Sequence, residues 1–151
     1  TVTPFPAGTC DCHMHIYDAR FPLKPGAHLF ERPATVADYR RVQARLGLTR
    51  TVVVQSSAYA TDNSCALAAM AELGANARGV AVVGPDVTDA ELKRLTDAGM
   101  RGLRYLMFPG GRRCLHWRRA SRHSAGTSIY SCMARNSSRA RKCSPRCRAD
   151  S

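Results

Sequence analysis

Asp11, His13 and His15 stand at every second position of the run Thr9-Cys10-Asp11-Cys12-His13-Met14-His15-Ile16-Tyr17. In a β-strand, residues two apart project from the same face. An acid and two imidazoles side by side can hold a metal ion or gather the oxygens of an anionic substrate. A histidine pair also suits a plain surface or a satisfied core, so the elements around it decide its role. Cys10 and Cys12 alternate with this set. They read most simply as small buried or half-buried residues, and otherwise as a hint that thiolates join a metal site.

Four short apolar runs could position these residues: Cys10 to Tyr17, Thr51 to Gln55, Gly79 to Val83 and Gly102 to Phe108. They alternate with three helical patterns, the rhythm of βα units around a parallel sheet covered on both faces. The first helix begins at Thr35, whose hydroxyl can cap the turn holding Asp38, turns Val36, Tyr39, Val42 and Leu46 inward, and stops at Gly47. The second runs from Thr61-Asp62 to Gly74 with Leu67, Met70 and Leu73 inward. The third is capped by Thr88, carries Asp89 and Glu91 where the helix dipole favours anions, buries Leu92 and Leu95, and ends at Gly99. A long loop from Asp18 to Pro33, rich in proline and aromatic residues, follows the first strand. In a (β/α)₈ barrel the loops after the strands form the catalytic face, and His13 and His15 lie near that end.

Composition divides the chain. Residues 112–151 hold 11 of its 23 basic residues and one of its 11 acidic ones, so the tail carries +10 of the net +12. Cys114, Cys132, Cys143, Cys147 and the single tryptophan, Trp117, also lie there, with no hydrophobic period. Two domains are therefore expected, an ordered 1–111 and a basic, disordered 112–151. No run approaches the roughly 20 apolar residues of a membrane span, and the N-terminus lacks a secretory pattern, so a cytoplasmic protein with reduced thiols is expected.

Asp11-Cys12-His13-Met14-His15, Val54-Gln55-Ser56-Ser57, Thr61-Asp62-Asn63, Arg78 to Val83 and Arg101-Gly102-Leu103-Arg104 together carry a resemblance. From about Cys10 to Gly111 the chain resembles the amidohydrolase superfamily, in the branch holding 2-pyrone-4,6-dicarboxylate hydrolase and sugar-lactone enzymes. The resemblance implies the N-terminal half of a (β/α)₈ TIM barrel, about four βα units, from an enzyme that hydrolyses or isomerises a carboxylated lactone. It implies that His13 and His15 are catalytic and hold substrate or a divalent metal, zinc or manganese, some members needing no metal. A later aspartate serves such enzymes as base. Ser57 matches a substrate-contacting serine and Arg104 a carboxylate-binding arginine, whose planar fork suits that task. Tyr59, with Tyr17, either lines the pocket or packs. The rival readings are a turn-forming Ser57 and a surface cation at Arg104. Leu29-Phe30 stands where the pyrone hydrolase would offer a tyrosine hydroxyl, and Pro109-Gly110-Gly111 where it would place a second arginine. Both departures argue against a pyrone dicarboxylate, and the pattern of Tyr17, Phe21-Pro22 and Pro109-Gly110-Gly111 leans toward a sugar-acid lactone.

Past Gly111 the pattern gives way to Arg, Ser and Cys, the residues that a high-GC gene yields out of frame. Joining the third base of each codon to the first two of the next, His123 to Cys147 rereads as FRWYVNLQLYGTELLAREEVLASLP. That string is a strand followed by an amphipathic helix, the next βα unit of such a barrel. A one-base insertion or deletion near codon 112 is the expectation, with a polypeptide that is inactive by itself and prone to aggregate through open sheet edges. Taken at face value, Arg112-Arg113, Arg118-Arg119 beside Trp117 and Arg139 to Lys142 would attract nucleic acid without sequence preference. Cys143-x-x-x-Cys147 with Cys132 and His123 would make an irregular zinc site.

Overall fold

The apolar runs become parallel strands in the computed structural model, which describes residues 3–27, 33–84, 86–105 and the backbone of 131–132. β1 (Cys10–Met14), β2 (Arg50–Val54), β3 (Ala77–Val82) and β4 (Met100–Tyr105) lie side by side in sequence order. Every neighbouring pair is parallel, and α1 (Val36–Leu46), α2 (Ser64–Leu73) and α3 (Asp89–Asp97) make the crossovers. A fifth, two-residue strand, β5 (Ser131–Cys132), adds in parallel to the outer side of β4. This is the βα order of an opening half of a TIM-type barrel. Among the described residues no helix is long and apolar enough to cross a membrane.

Local chemistry explains the element ends. Thr35 and Asp38 close a reciprocal capping box, the Thr35 hydroxyl accepting from the Asp38 amide and the Asp38 carboxylate from the Thr35 amide at 3.0 Å. Gly47 ends α1 in the left-handed region at φ 72°. The inward stripe of α1 is Val36, Tyr39 and half-buried Leu46; it runs through Gln43, and Val42, expected inside, is 45% exposed on the flank. Thr88 caps α3 as expected, accepting from the Glu91 amide, with Leu92 and Leu95 buried.

α2 starts later than Thr61-Asp62 because those residues are spent otherwise. The Asp62 carboxylate accepts from the Ser64 amide, and the Asn63 side chain, although at the cap position, is bound to Val82. Leu67 and Leu73 only flank the core, and the face pressed on the sheet is Cys65, Ala66, Ala69 and Met70. These small residues bring α2 close. A Cβ at Gly79 would collide with the sulfurs of Met70 and Met100, so a larger residue there would have to push both methionine side chains aside.

The first strand is shorter than expected. Regular pairing stops at Met14, and between Asp11 and Met14 the register against β2 shifts, those four residues of β1 spanning the three from Thr51 to Val53. His15 therefore lies just past the strand, and Tyr17 forms an isolated antiparallel bridge with Ala34 that closes the long loop. Leu29-Phe30, Pro109-Gly110-Gly111, the basic clusters and the zinc ligands proposed at His123, Cys143 and Cys147 lie outside the described residues, and of Cys132 only the backbone is described.

Candidate active site

The bulge in β1 decides which of its side chains meet. Strict alternation would put Asp11 beside His13 and His15, but the extra residue resets the faces. The Asp11 carboxylate accepts from the Tyr39 hydroxyl of α1 at 3.1 Å, and that hydroxyl also reaches Thr51 at 2.9 Å. Past the bulge Met14 and Ile16 join the core containing Val36 and Tyr39. His13 is left exposed and His15 half-buried, their rings 5.0 Å apart and 77° from coplanar. The expected trio is thus a pair of imidazoles, with Asp11 committed to α1.

The end of β2 holds the rest of the site. His15 Nδ1 lies 2.7 Å from the Val54 carbonyl, which can only accept, so Nδ1 carries the proton and Nε2 keeps its lone pair. Burial lowers the His15 pKa, and the charges of His13 and Arg104 lower it further against the raising effect of the Val54 bond. The ring is therefore neutral at neutral pH. One residue along, the Gln55 carbonyl accepts from Arg104 Nη1 at 3.1 Å. Arg104 sits on β4 and passes over β3 to reach that carbonyl, so it is no surface cation: it is 7% exposed. Gln55 is itself 1% exposed, and its side-chain amide donates to the Asp62 carbonyl at 2.6 Å, tying down the loop after β2.

That loop carries Ser57, exposed at the start of a 3₁₀ turn spanning Ser57–Tyr59. The buried neighbour Ser56 caps the turn through the Ala58 amide and donates to the Tyr17 hydroxyl at 3.0 Å. Tyr59 is buried, and its hydroxyl brackets Asp18, accepting from the amide at 3.0 Å and donating to the carbonyl at 3.3 Å. Burial, more than any neighbour, pushes the Tyr59 pKa up to about 12, so the phenol stays protonated. The rings of His13, His15, Tyr17 and Tyr59 form a row with centroid steps of 5.0, 6.3 and 6.3 Å. Of the residues expected from sequence, His13, His15 and Arg104 gather at one end of the sheet. Ser57 and Tyr59 frame the adjoining loop, Tyr59 through its backbone bracket. Sequence reasoning missed Gln55, Ser56 and Asn63. The available signal was an amide closing an apolar strand, and a second one placed just before a helix.

A ring nitrogen bound at about 2.1 Å puts the imidazole centre about 3.2 Å from a metal ion, so two tetrahedral ligands would have centroids about 5.2 Å apart. The observed 5.0 Å is a ring spacing that two such ligands can have, with Nε2 the nitrogen His15 would use. Among the described residues no third His, Cys, Asp or Glu joins them. What the arrangement offers is a neutral imidazole and a fixed guanidinium at the carboxyl end of a parallel sheet, where α/β enzymes bind anionic substrates.

Four parallel strands joined by helices in sequence order define an α/β fold of the TIM-barrel class. A family model described as amidohydrolase matches residues 10–137, and the chain belongs to the amidohydrolase family. It is 36% identical over 109 residues to the D-galactarolactone isomerase of Agrobacterium fabrum, covering 71% of this chain and 37% of that enzyme. It is 38% identical over 102 residues to the 2-pyrone-4,6-dicarboxylate hydrolase of Comamonas testosteroni, covering 66% and 33%. Among solved structures, a probable 2-pyrone-4,6-dicarboxylic acid hydrolase from Acinetobacter baumannii with citric acid bound superposes with TM-score 0.67. That pair shares 25% identity and covers 76% of this chain and 45% of that one. The chain thus spans between a third and a half of the length of these relatives.

Proposed function

We propose that the chain is the amino-terminal part of an enzyme that hydrolyses or isomerises a carboxylated lactone. The observation that carries this reading is the placement of His15 and Arg104 on consecutive carbonyls, Val54 and Gln55, at one strand end. Arg104 offers its fork to the substrate carboxylate and fixes the ring orientation. The neutral His15 presents Nε2 toward the reacting carbonyl group, to accept a proton or orient water, with His13 beside it. Ser57 donates a hydrogen bond to the lactone, and Tyr59 shapes the wall while holding the Asp18 backbone. A divalent ion such as zinc or manganese, when bound, would be held by His13 and His15 and would polarise the lactone carbonyl. The relatives named for galactarolactone and for pyrone dicarboxylate, and the citric acid in one relative, support a substrate bearing carboxylates. Leu29-Phe30 and Pro109-Gly110-Gly111 argue against a pyrone dicarboxylate, and Tyr17, Phe21-Pro22 and Pro109-Gly110-Gly111 favour the sugar-acid lactone. The compartment proposed is the cytoplasm, where seven thiols stay reduced.

Residues 112–151 form, in this reading, an out-of-frame tail on a 1–111 partial barrel, and the chain alone is inactive. The rereading of His123 to Cys147 supports it. Sequencing the gene across codons 105–120 and expressing the chain beside a frame-restored product tests both parts. The restored product should turn over galactarolactone or 2-pyrone-4,6-dicarboxylate, this chain should not, and His13→Ala or His15→Ala should abolish turnover. An intact frame, or full turnover by those variants, would refute the proposal.

A further inference from the structure

The Tyr17 phenol stands in the ring row of the site, beside His15. Its backbone is clamped in both directions, the amide donating to the Ala34 carbonyl and the carbonyl accepting from the Ala34 amide, each at 2.9 Å. Its hydroxyl accepts from Ser56 Oγ at 3.0 Å, and Ser56, 3% exposed, accepts in turn from the Ala58 amide at 3.2 Å. The hydrogen bonds therefore run one way, from the Ala58 amide through the serine to the phenol. Ring and hydroxyl are both held in place before any ligand arrives.

Three successive residues at the end of β2 hold three different groups. The Val54 carbonyl holds His15 Nδ1 at 2.7 Å, the Gln55 carbonyl holds Arg104 Nη1 at 3.1 Å, and the Ser56 hydroxyl holds Tyr17 Oη. Residues two apart in an extended chain are about 7 Å apart, and the Tyr17 ring centre lies 6.3 Å from that of His15. A lactone ring with one substituent bridges such an interval. The guanidinium suits a carboxylate, whereas a phenol, donor and acceptor both, matches a neutral hydroxyl. We propose that Tyr17, oriented by Ser56, reads a ring hydroxyl of the substrate and so selects a sugar-acid lactone over a pyrone dicarboxylate, whose ring bears carboxylates and no hydroxyl. This selection rests on the lactone reading of the site.

The full chain, labelled with nitrogen-15 histidine, is titrated separately with D-galactarolactone and with 2-pyrone-4,6-dicarboxylate while the His15 ring is followed by NMR. Galactarolactone should shift the His15 signal at lower concentration than the pyrone dicarboxylate does. Tyr17→Phe should raise the half-saturating concentration of galactarolactone roughly tenfold and leave that of the pyrone dicarboxylate within about twofold. Ser56→Ala should act in the same direction by a smaller factor, since the phenol stays but loses its orientation. An equal loss for both ligands in Tyr17→Phe would make Tyr17 a packing residue and overturn the selection while the lactone reading stands. So would unchanged galactarolactone binding in that variant, or tighter binding of the pyrone dicarboxylate by the unsubstituted chain. A His15 signal that neither ligand moves would overturn both.

Discussion

Replacing Asn63 with alanine should destabilise the fold more than any nearby surface change, because three hydrogen bonds vanish inside it. The Asn63 amide donates to the Val82 carbonyl at 2.8 Å and to the Thr61 carbonyl at 3.0 Å, and its oxygen accepts from the Val82 amide at 3.0 Å. Asn63 is 5% exposed and Val82 4%, so water cannot replace the lost partner without opening the sheet end. Leaving a buried donor or acceptor unsatisfied costs roughly 1–3 kcal/mol per group. Two stranded groups on Val82 therefore make a loss of about 3 kcal/mol. For an ordered unit of about 100 residues that is a fall in Tm of roughly 12 °C or more. Val82 pairs in register with Arg104, so the loosened strand end would be the one beside the guanidinium. Thermal and urea unfolding of the full chain measure the loss, and hydrogen exchange reads the Val82 amide directly. A loss under about 1 kcal/mol with Val82 protection unchanged would refute the reasoning.

Tyr59→Phe should cost about 1–2 kcal/mol, since it removes the group bracketing the Asp18 backbone, and should speed exchange of the Asp18 amide; unchanged exchange would count against the bracket. Gly79→Ala should cost about 1–3 kcal/mol by forcing the Met70 and Met100 sulfurs aside, read as a lowered urea midpoint; an unchanged midpoint would show that the two methionines give way freely. Acid should unfold the chain in a defined sense. Asp18, Asp38, Asp62 and Glu91 are held below their ordinary pKa values by Arg20, Thr35, Ser64 and Arg94 respectively. Folded values below unfolded ones mean stability that is fully present above the ordinary values, 3.8 for the aspartates and 4.5 for the glutamate, and is lost as pH falls through the lowered ones. Urea midpoints that stay flat across that acid range would contradict the assignment.

The strands and helices were legible because their signals are local. β-branched runs, threonine caps and Gly47 act within a few residues, and each strand falls within two residues of its expected start. Val42 was misplaced because a stripe read from apolar residues alone ignores Gln43, which is half-buried where Val42 is exposed. The histidine pair and Arg104 were legible as chemistry, but Asp11 was assigned to the wrong face. A bulge has no residue-type signature in Asp11-Cys12-His13, and one inserted residue inverts everything before it. Gln55 and Asn63 escaped for a different reason. Their partners, Asp62 and Val82, are backbone groups 7 and 19 residues away, which no single-sequence pattern marks.

The two consecutive carbonyls that receive His15 and Arg104 have a metrological consequence. Groups on separate strands normally inherit independent placement errors, which add in the distance between them. Here both are measured from one reference, the last peptide units of β2, so a drift of that strand moves imidazole and guanidinium together and cancels in their separation. The surrounding loops can therefore lengthen, tilt or change content while the interval between the His15 imidazole and the Arg104 guanidinium stays calibrated.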